Sequence, residues 1–401
     1  MTYTADARQS WALALALSLG AAVSLGITRF AYGLLLPAMR SDLGWSYTLA
    51  GGMNTANALG YFLGALATPW LMRRWGPSHL LWGGAALASM FMGLSGFFID
   101  AQLLLLQRLL AGVASALVFI AGGLLAARLG ARHPRHGGLL LGIYYGGTGL
   151  GIVLSAVFVP WVLEATQADA HGWRWAWWLL ALACCLASAV LVWPARVMAR
   201  WELPAASAAQ AGARFTWRPF GYGLAGYTLF GVGYIGYMTF VVALLRAQGS
   251  TALAVTWFYA LLGVAVIASS RIWAGLLDRY RDGRPLATLN ALLGLATIVP
   301  ALTQWWPMVL VSGLVFGAVF LSVVASTTAL VRHNLPPSAW AAGISAFTTV
   351  FAAGQIVGPT VVGWIADGPG GLARGLVFSA GALWLGALLA LRQKALPCRS
   401  A

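Results

Sequence analysis

GIYYGGTGLGIVLSAVFVPWV, from Gly142 to Val162, contains no charged residue and is long enough to cross a lipid bilayer as a single helix. A similar stretch, GISAFTTVFAAGQIVGPTVVGWI, runs from Gly343 to Ile365. The two fall at the fifth and eleventh long apolar segments of the chain. An internal repeat of membrane helices is typical of transporters whose two halves surround a central binding site.

The rest of the chain has the composition of a membrane protein. Of its 401 residues, 60% are hydrophobic and 8% are charged, whereas soluble domains carry about 25% charged residues. Long apolar stretches recur throughout, which predicts an all-α membrane protein with twelve transmembrane helices in two pseudo-symmetric six-helix halves. The predicted spans are residues 11–37, 46–72, 79–98, 101–127, 137–163, 173–194, 219–245, 251–277, 285–304, 307–331, 339–366 and 372–392.

A polar segment separates the two groups of six spans. It contains the sequence ELPAASAAQAGAR, whose small and polar residues suit a flexible linker. We therefore predict an N-terminal six-helix half at residues 1–194, a cytoplasmic linker at 195–218 and a C-terminal six-helix half at 219–401.

The charges of the loops predict the orientation of the chain in the membrane. Loops and termini on the side shared by both chain ends hold seventeen basic residues, and the other loops hold four. Basic loops stay in the cytoplasm, so both termini are expected there. The net charge of +15 is thereby explained by insertion into a lipid bilayer, and no nucleic-acid partner is expected.

The sequence gives no sign of a metal site, a cofactor or an enzyme. Cys184 and Cys185 are adjacent in an apolar segment and Cys398 is near the end, so they form no disulfide framework or ligand set. His133 and His136 lie in a basic loop without cysteine or acidic partners. No nucleophile–base constellation is evident either, so we expect no cofactor, no bound metal and no enzymatic activity.

Three arginines lie within predicted spans, whereas no aspartate or glutamate falls deep inside one. A charge at the bilayer centre costs about 2.5 to 3.5 kcal/mol on insertion scales, and such residues usually serve a function. Arg29 and Arg108 are both expected about 10 to 12 Å below the outer surface. Two positive charges at one depth repel each other, and an anion between them would relieve the repulsion.

Each of these two arginines also has a simpler interpretation. Arg29 would snorkel to the outer headgroups. Arg108 would form structural hydrogen bonds to backbone carbonyls or to Asn54 or Asn57. The sequence leaves these alternatives open beside an anion-binding role.

The third arginine, Arg271, lies near the inner end of the eighth predicted span, seven residues before Asp278. That spacing returns to the same helix face after two turns. Arg271 would then pair with Asp278, or it would snorkel to the inner surface. A third possibility, implied by the resemblance described below, is that Arg271 faces the cavity and engages the ligand.

Polar and aromatic residues at helical spacing extend the candidate site. Small and polar residues in membrane helices usually mediate helix packing, which is the leading interpretation of such stripes. Tyrosines of the seventh span would supply hydroxyl groups and flat apolar walls to a cavity. The predicted substrate-binding residues are Arg29, Tyr32, Asn57, Tyr61, Arg108, Tyr234, Arg271 and Gln355.

Several motifs resemble those of the major facilitator superfamily over essentially the whole chain. GLLDRYRDGRP (Gly275–Pro285) and PWLMRRWGPS (Pro69–Ser78) resemble its repeated loop motif, and LQRLLAGVAS (Leu106–Ser115) resembles its fourth-helix motif. The resemblance implies gating loops and links Arg108 to the substrate cavity or to proton coupling. Arg73 stands where the first loop motif has an acid. The implied gating residues are Arg74, Gly76, Gly275, Asp278, Arg279 and Arg284.

Three further stretches narrow the resemblance. RFAYGLLLPAM (Arg29–Met39) and GQIVGPTVVGWIADGPGG (Gly354–Gly371) are similar to the bacterial YbfB/YjiJ-type branch. SRIWAGLLDR (Ser270–Arg279) resembles the eighth-helix pattern of carboxylate carriers in the superfamily. The resemblance implies a monomeric, multi-pass protein of the bacterial inner membrane that works by alternating access.

Together these features predict a secondary active transporter of a small organic anion. Bidentate bonding between arginine and carboxylate favours a carboxylate. An inside-negative potential opposes anion entry, so import would need a coupled proton or an exchanged anion. The alternative is proton-coupled efflux of hydrophobic drugs or other neutral small molecules. The sequence determines neither the substrate, nor the coupling ion, nor the direction of transport.

Overall fold

The computed structural model describes residues 2–133, 136–200, 216–336 and 339–396, and this part of the chain is helical without β-strands. Residues 201–215 of the predicted linker and Cys398 lie outside the described residues. The α-helices are α1 (Thr2–Ala21), α2 (Tyr32–Leu43), α3 (Tyr47–Ser95), α4 (Ala101–Arg132), α5 (Gly137–Ala165), α6 (Trp173–Ala199), α7 (Gly221–Ala247), α8 (Ala252–Ile272), α9 (Ala274–Arg279), α10 (Arg284–Leu302), α11 (Trp306–Asn334), α12 (Trp340–Asp367) and α13 (Gly371–Leu391).

These helices form the twelve predicted spans. Ten helical segments of the described chain are long and apolar enough to cross a bilayer, and α1 together with α2 counts as one of them. The other two spans are the halves of α3, which bends at Gly76, where φ is 77° and ψ is 158°. Glycine adopts a positive φ without steric cost, so Gly76 marks the turn between the second and third spans.

The first span is longer than predicted. It continues in α2 to Leu43, beyond the predicted end at residue 37, so Arg29 lies farther from the end of its span than the sequence suggested. The sixth span is also longer, because α6 continues to Ala199 and includes the first residues assigned to the linker.

The eighth span is shorter than predicted. α8 ends at Ile272, and Trp273, with φ −104° and ψ 2°, separates it from the short helix α9. The spacing argument that places Arg271 and Asp278 on one helix face assumed a continuous helix between them, and the structure interrupts that helix at Trp273.

The glycines of α5 allow close contact with helices of both halves. A Cβ atom on Gly147 would lie 1.9 Å from the backbone oxygen of Ser18 in α1. A Cβ atom on Gly149 would lie 2.4 Å from the backbone oxygen of Gly263 in α8. Any larger residue at these positions would push the helices apart, which is why small residues are favoured at membrane helix contacts.

The related helix α12 repeats this arrangement in the second half. A Cβ atom on Gly354 would lie 2.3 Å from the backbone oxygen of Thr228 in α7, and one on Gly363 would lie 2.2 Å from that of Tyr47 in α3. The similar sequences of α5 and α12 therefore reflect equivalent positions, each against a helix of its own half and a helix of the other half.

The two halves are joined on one side of the bundle. We call the side where α1 begins and α13 ends the terminus side, and the opposite side the far side. At the far side, Asp367 accepts hydrogen bonds from the backbone N–H of Tyr47 (2.7 Å) and of Thr48 (2.9 Å). Nearer the middle, the hydroxyl of Thr55 donates to the carbonyl of Ile356 (2.7 Å). These contacts between α3 and α12 close the far side.

The same two helices separate toward the terminus side. Within the described residues, the hydrogen bonds between α3 and α12 end at Thr55. Farther along α12, Thr348 and Thr349 are exposed and bond only to carbonyls of their own helix. The gap between the halves therefore opens toward the terminus side.

Candidate functional site

The first span is interrupted at the level of its arginine. Residues Ala22–Ile27 form a π-helix, in which the N–H of Thr28 bonds to the carbonyl of Val23 (3.0 Å) five residues back. Residues 28–31 form a turn before α2 begins. Such a break leaves backbone carbonyls available to other donors, and π-helical turns often occur at functional sites. Here the carbonyl of Phe30 accepts the hydroxyl of Tyr259 from α8 (2.9 Å).

Arg108 forms hydrogen bonds to this interrupted segment and to α3. Its Nη1 donates to the carbonyl of Thr28 (2.7 Å) and its Nη2 donates to Oδ1 of Asn54 (3.0 Å). The side chain is 2% exposed, and its guanidinium carbon lies 5.0 Å from the ring centre of Tyr32. These bonds support the structural interpretation of Arg108, since they occupy both terminal nitrogens.

The hydrogen bonds of Arg108 continue into the other half. Nδ2 of Asn54 donates to Oγ1 of Thr239 in α7 (2.8 Å), and this hydroxyl donates to the carbonyl of Ile235 (2.6 Å). A connected row of bonds therefore runs from α4 through α3 to α7. It lies on the far side of the gap and helps to close it.

Arg29 has no comparable partners. It is 3% exposed, and its Nε and Nη2 are buried without a hydrogen bond in the described part of the chain. Its guanidinium carbon lies 5.7 Å from the ring centre of Tyr61. It also repels the guanidinium of Arg108. Because the side chain stays buried, the structure does not support snorkelling of Arg29 to the outer headgroups.

Aromatic side chains from both halves surround Arg29. Tyr61 packs against Phe119, with ring centres 6.5 Å apart, in the first half. In the second half Tyr234 stacks on Phe351 (5.6 Å), and its hydroxyl donates to Oε1 of Gln355 (2.6 Å). Tyr61 therefore contacts Arg29 directly. Tyr234, with its partner Gln355, is linked to the neighbouring residue Phe30 through the ring of Phe320.

Two other predicted site residues have structural contacts. The hydroxyl of Tyr32 donates to the carbonyl of Ala50 (2.9 Å), and its ring lies under Arg108. Nδ2 of Asn57 donates to the carbonyl of Arg108 (3.1 Å). Both side chains are buried and support the position of Arg108.

Arg271 lies apart from this group. It is exposed near the terminus-side end of α8. No ion pair between Arg271 and Asp278 occurs in the described residues, and Asp278 is itself exposed. In this conformation the structure does not bring Arg271 together with Arg29.

The predicted gating residues all lie on the terminus side. Gly76 forms the bend of α3, while Arg74 is exposed beside it. In the second loop the guanidinium carbons of Arg279 and Arg284 lie 5.6 Å and 5.5 Å from the ring centre of Tyr280. The remaining two predicted residues, Gly275 and Asp278, are exposed.

Sequence reasoning missed several residues of this region. Thr239 and Tyr259 act through single hydroxyl groups that reach the other half, and Thr28 acts through its carbonyl. Phe351 was missed although it lies one helical turn from Gln355, a spacing that places both on one face. Among the described residues, no group of histidine, cysteine, aspartate or glutamate could hold a metal ion.

A bundle of twelve membrane-spanning helices in two related halves, with buried charge near the junction, defines a membrane transporter of the major facilitator type. The chain belongs to the family described as uncharacterised MFS-type transporter YbfB, whose sequence pattern matches residues 21–391. It is therefore a multi-pass membrane protein.

Solved structures share this fold. A bacterial homologue of the human lysosomal transporter Spinster, in an inward-facing and unoccupied conformation, has a TM-score of 0.71 at 15% identity, covering 97% of this chain and 99% of that chain. The nucleoside transporter NupG has a TM-score of 0.68 at 13% identity, covering 95% and 98% respectively. At such identities the likeness concerns the fold alone. No curated protein matches the chain in sequence.

Proposed function

We propose that the chain is a secondary active transporter of a small organic anion, most simply a carboxylate, and that Arg29 binds the anion. The observation that carries the proposal is the buried guanidinium of Arg29, whose Nε and Nη2 have no hydrogen-bond partner in the described chain. A buried charge without a partner is costly, and an anionic ligand would supply the missing partner. The protein is not expected to be an enzyme.

Nε and Nη2 lie on the same edge of the guanidinium. This edge matches the two oxygens of a carboxylate in a bidentate bond, which a point charge cannot reproduce. The ring of Tyr61 near the guanidinium provides an apolar wall that would strengthen such a bond by excluding water.

Arg108 has a different role in this proposal. Its bonds to Thr28 and Asn54 fix the turn from which Arg29 extends. Its positive charge adds to the field at the site without contacting the anion. Arg108 is thus a positioning residue, and Arg271 would meet the anion only on the exit path toward the terminus side.

The transport cycle follows from the placement of the site. The halves would rock about Arg29, opening first one side and then the other. The proposed protein is a monomer of the bacterial inner membrane. The proposed orientation has both termini in the cytoplasm, which is supported by the excess of basic residues on the terminus side. Without a buried carboxylate in the described spans to carry a proton, exchange of anions or a proton on the substrate would provide the coupling.

The test is uptake of labelled carboxylates into proteoliposomes. A panel of acyclic, dicarboxylic and aromatic acids is compared between the wild type, Arg29→Gln and the control Arg374→Gln, an exposed arginine at the far side. Loss of a charged hydrogen bond lowers uptake by about tenfold or more in Arg29→Gln. The control keeps wild-type uptake, and equal uptake by Arg29→Gln would reject the proposal.

The aromatic lining favours a second candidate, movement of a neutral flat molecule. The fold is shared with NupG, a nucleoside transporter. A neutral ligand would be held by the rings of Tyr61, Tyr234 and Phe351 without using Arg29. Uptake of a neutral probe such as uridine that persists in Arg29→Gln would favour this candidate over the first.

A further inference from the structure

The second half presents a wall of nearly parallel aromatic rings to the gap. Phe351 of α12 lies 4.9 Å from Tyr227, 5.3 Å from Phe230 and 5.6 Å from Tyr234, all on α7, with interplanar angles of 19°, 10° and 21°. Phe320 of α11 extends the wall, 6.0 Å from Tyr234 at 7°. Tyr227, Phe230, Tyr234 and Phe320 are buried within this group, and Phe351 is the ring that remains partly exposed.

The first half presents a second group of rings. Phe119 of α4 lies 6.5 Å from Tyr61, 6.0 Å from Tyr144 and 5.6 Å from Tyr145. Tyr61, Phe119 and Tyr145 are only partly buried, as is Phe351 on the opposite wall. These half-buried rings therefore border open space.

The two groups face each other across the boundary between the halves. Phe30, the neighbour of Arg29 in the first half, lies 5.8 Å from Phe320 of the second half, measured between ring centres. Arg29 lies at the far-side end of this arrangement, next to Tyr61. Beyond it the row of bonds through Asn54 closes the gap.

We propose that the substrate is a flat aromatic carboxylate, with its ring between the two aromatic groups and its carboxylate on Arg29. This inference rests on the proposed function and names its substrate class. An acyclic carboxylate would leave the ring faces of Phe351 and Phe119 without a partner. A neutral aromatic molecule would leave Arg29 without one.

The test measures binding to the purified protein in detergent by isothermal titration calorimetry. The aromatic probes are benzoate, 2-naphthoate and indole-3-acetate. Cyclohexanecarboxylate keeps the charge without the aromatic ring, succinate removes the ring altogether, and benzamide keeps the ring without the charge. We expect at least one aromatic carboxylate to bind about tenfold more tightly than cyclohexanecarboxylate, because ring stacking adds to simple burial. Benzamide should bind weakly.

Two variants measure the contributions of the aromatic ring and of the carboxylate charge to binding separately. Phe351→Leu should reduce the preference for the aromatic probe over cyclohexanecarboxylate by about fivefold while leaving the affinity for cyclohexanecarboxylate unchanged. The control Phe378→Leu, at an exposed position of α13, should leave the preference intact. Arg29→Gln should weaken every carboxylate and leave benzamide unchanged.

The outcomes distinguish this inference from the proposed function. If cyclohexanecarboxylate or succinate binds as tightly as every aromatic probe, and binding depends on Arg29, the aromatic inference is overturned and anion transport stands. If carboxylates bind equally well to Arg29→Gln, the proposed function fails as well. If none of the carboxylates binds at millimolar concentration, both are rejected.

Discussion

Arg29 and Arg108 are equally deep in the protein and differ in what surrounds them. Their side chains are 3% and 2% exposed. Arg108 donates to Thr28 and Asn54 through both terminal nitrogens and lacks a partner in the described chain at Nε, whereas Arg29 lacks one at both Nε and Nη2. Burial alone therefore does not identify a ligand-binding charge. The distinguishing property is whether the protein itself satisfies the group.

The difference also separates stability from function. The bonds of Arg108 are present in the unliganded protein, so they contribute to its folding free energy. Arg29 destabilises the unliganded protein, because its buried charge is unpaired, and its favourable contribution appears only when an anion binds. Substitutions at the two positions should accordingly change different measurements.

The largest expected effect is on the stability of Arg108→Leu. The substitution leaves the carbonyl of Thr28 and Oδ1 of Asn54 buried without their donor, at a cost of about 2 to 3 kcal/mol in unfolding free energy. Thermal unfolding in detergent measures the change. Arg29→Leu is the matched control and should unfold at or above the wild-type temperature, because it removes an unpaired buried charge. Equal destabilisation by both variants would remove the distinction.

Ligand-induced stabilisation should be nearly as large. At a concentration one hundred times its Kd, a bound carboxylate stabilises the folded state by about 2.7 kcal/mol. This increase should be visible in the unfolding temperature of the wild type and absent in Arg29→Gln. A stabilisation of the same size in Arg29→Gln would mean that the anion binds elsewhere.

A smaller effect is expected where the row of bonds crosses between the halves. Thr239→Val removes the acceptor of Nδ2 of Asn54 and destabilises the conformation with a closed far side by about 1 kcal/mol. That change raises the population with an open far side by about fivefold, which electron–electron resonance between spin labels on α3 and α12 would detect. Thr349→Val, at an exposed position of α12, is the control. An unchanged distance distribution would show that this bond does not hold the halves together.

The smallest effect should come from Asp367→Asn at the far-side rim. Asp367 accepts bonds from the first backbone N–H groups of α3, a capping interaction worth about 0.5 to 1 kcal/mol at an exposed position. The same spin-label experiment should show a shift in the direction of Thr239→Val but weaker. Asp282→Asn, on the terminus side, should leave the far side unchanged. A shift larger than that of Thr239→Val would show that the Asp367 contacts contribute more to keeping the far side closed than the bond between Asn54 and Thr239.

Much of the fold could be predicted from the sequence, because a transmembrane helix must be long enough to cross the bilayer and must contain few charged residues. The similar, glycine-containing sequences of α5 and α12 also predicted that these two helices are equivalent in the two halves. The break at Trp273 was missed, because no proline or glycine stands at that residue to signal it. The interpretation of the spacing between Arg271 and Asp278 depended on a continuous helix at this point.

The site was harder to anticipate than the fold. Arg29 and Arg108 were expected at one depth, and the bond from Arg108 to Thr28 agrees with this. Which of them would be satisfied by the protein depends on Asn54 and on the carbonyl of Thr28, and a carbonyl has no sequence signal. The contact between Asn54 and Thr239 joins residues from different halves, so no local pattern encodes it.

The π-helix at Ala22–Ile27 has a consequence for how Arg29 comes to face the gap. Its wider turn holds one residue more than an α-helical turn, which rotates everything that follows by about 100° relative to an uninterrupted α-helix. Arg29 stands directly after this segment, so its direction is set by helical phase. Conversion of Ala22–Ile27 to an α-helix at unchanged chain length would turn the guanidinium away from Tyr61 without any change in the hydropathy of the span. The choice between a π-turn and an α-turn at one point of the span is thus sufficient to move a charge into or out of the path through the membrane.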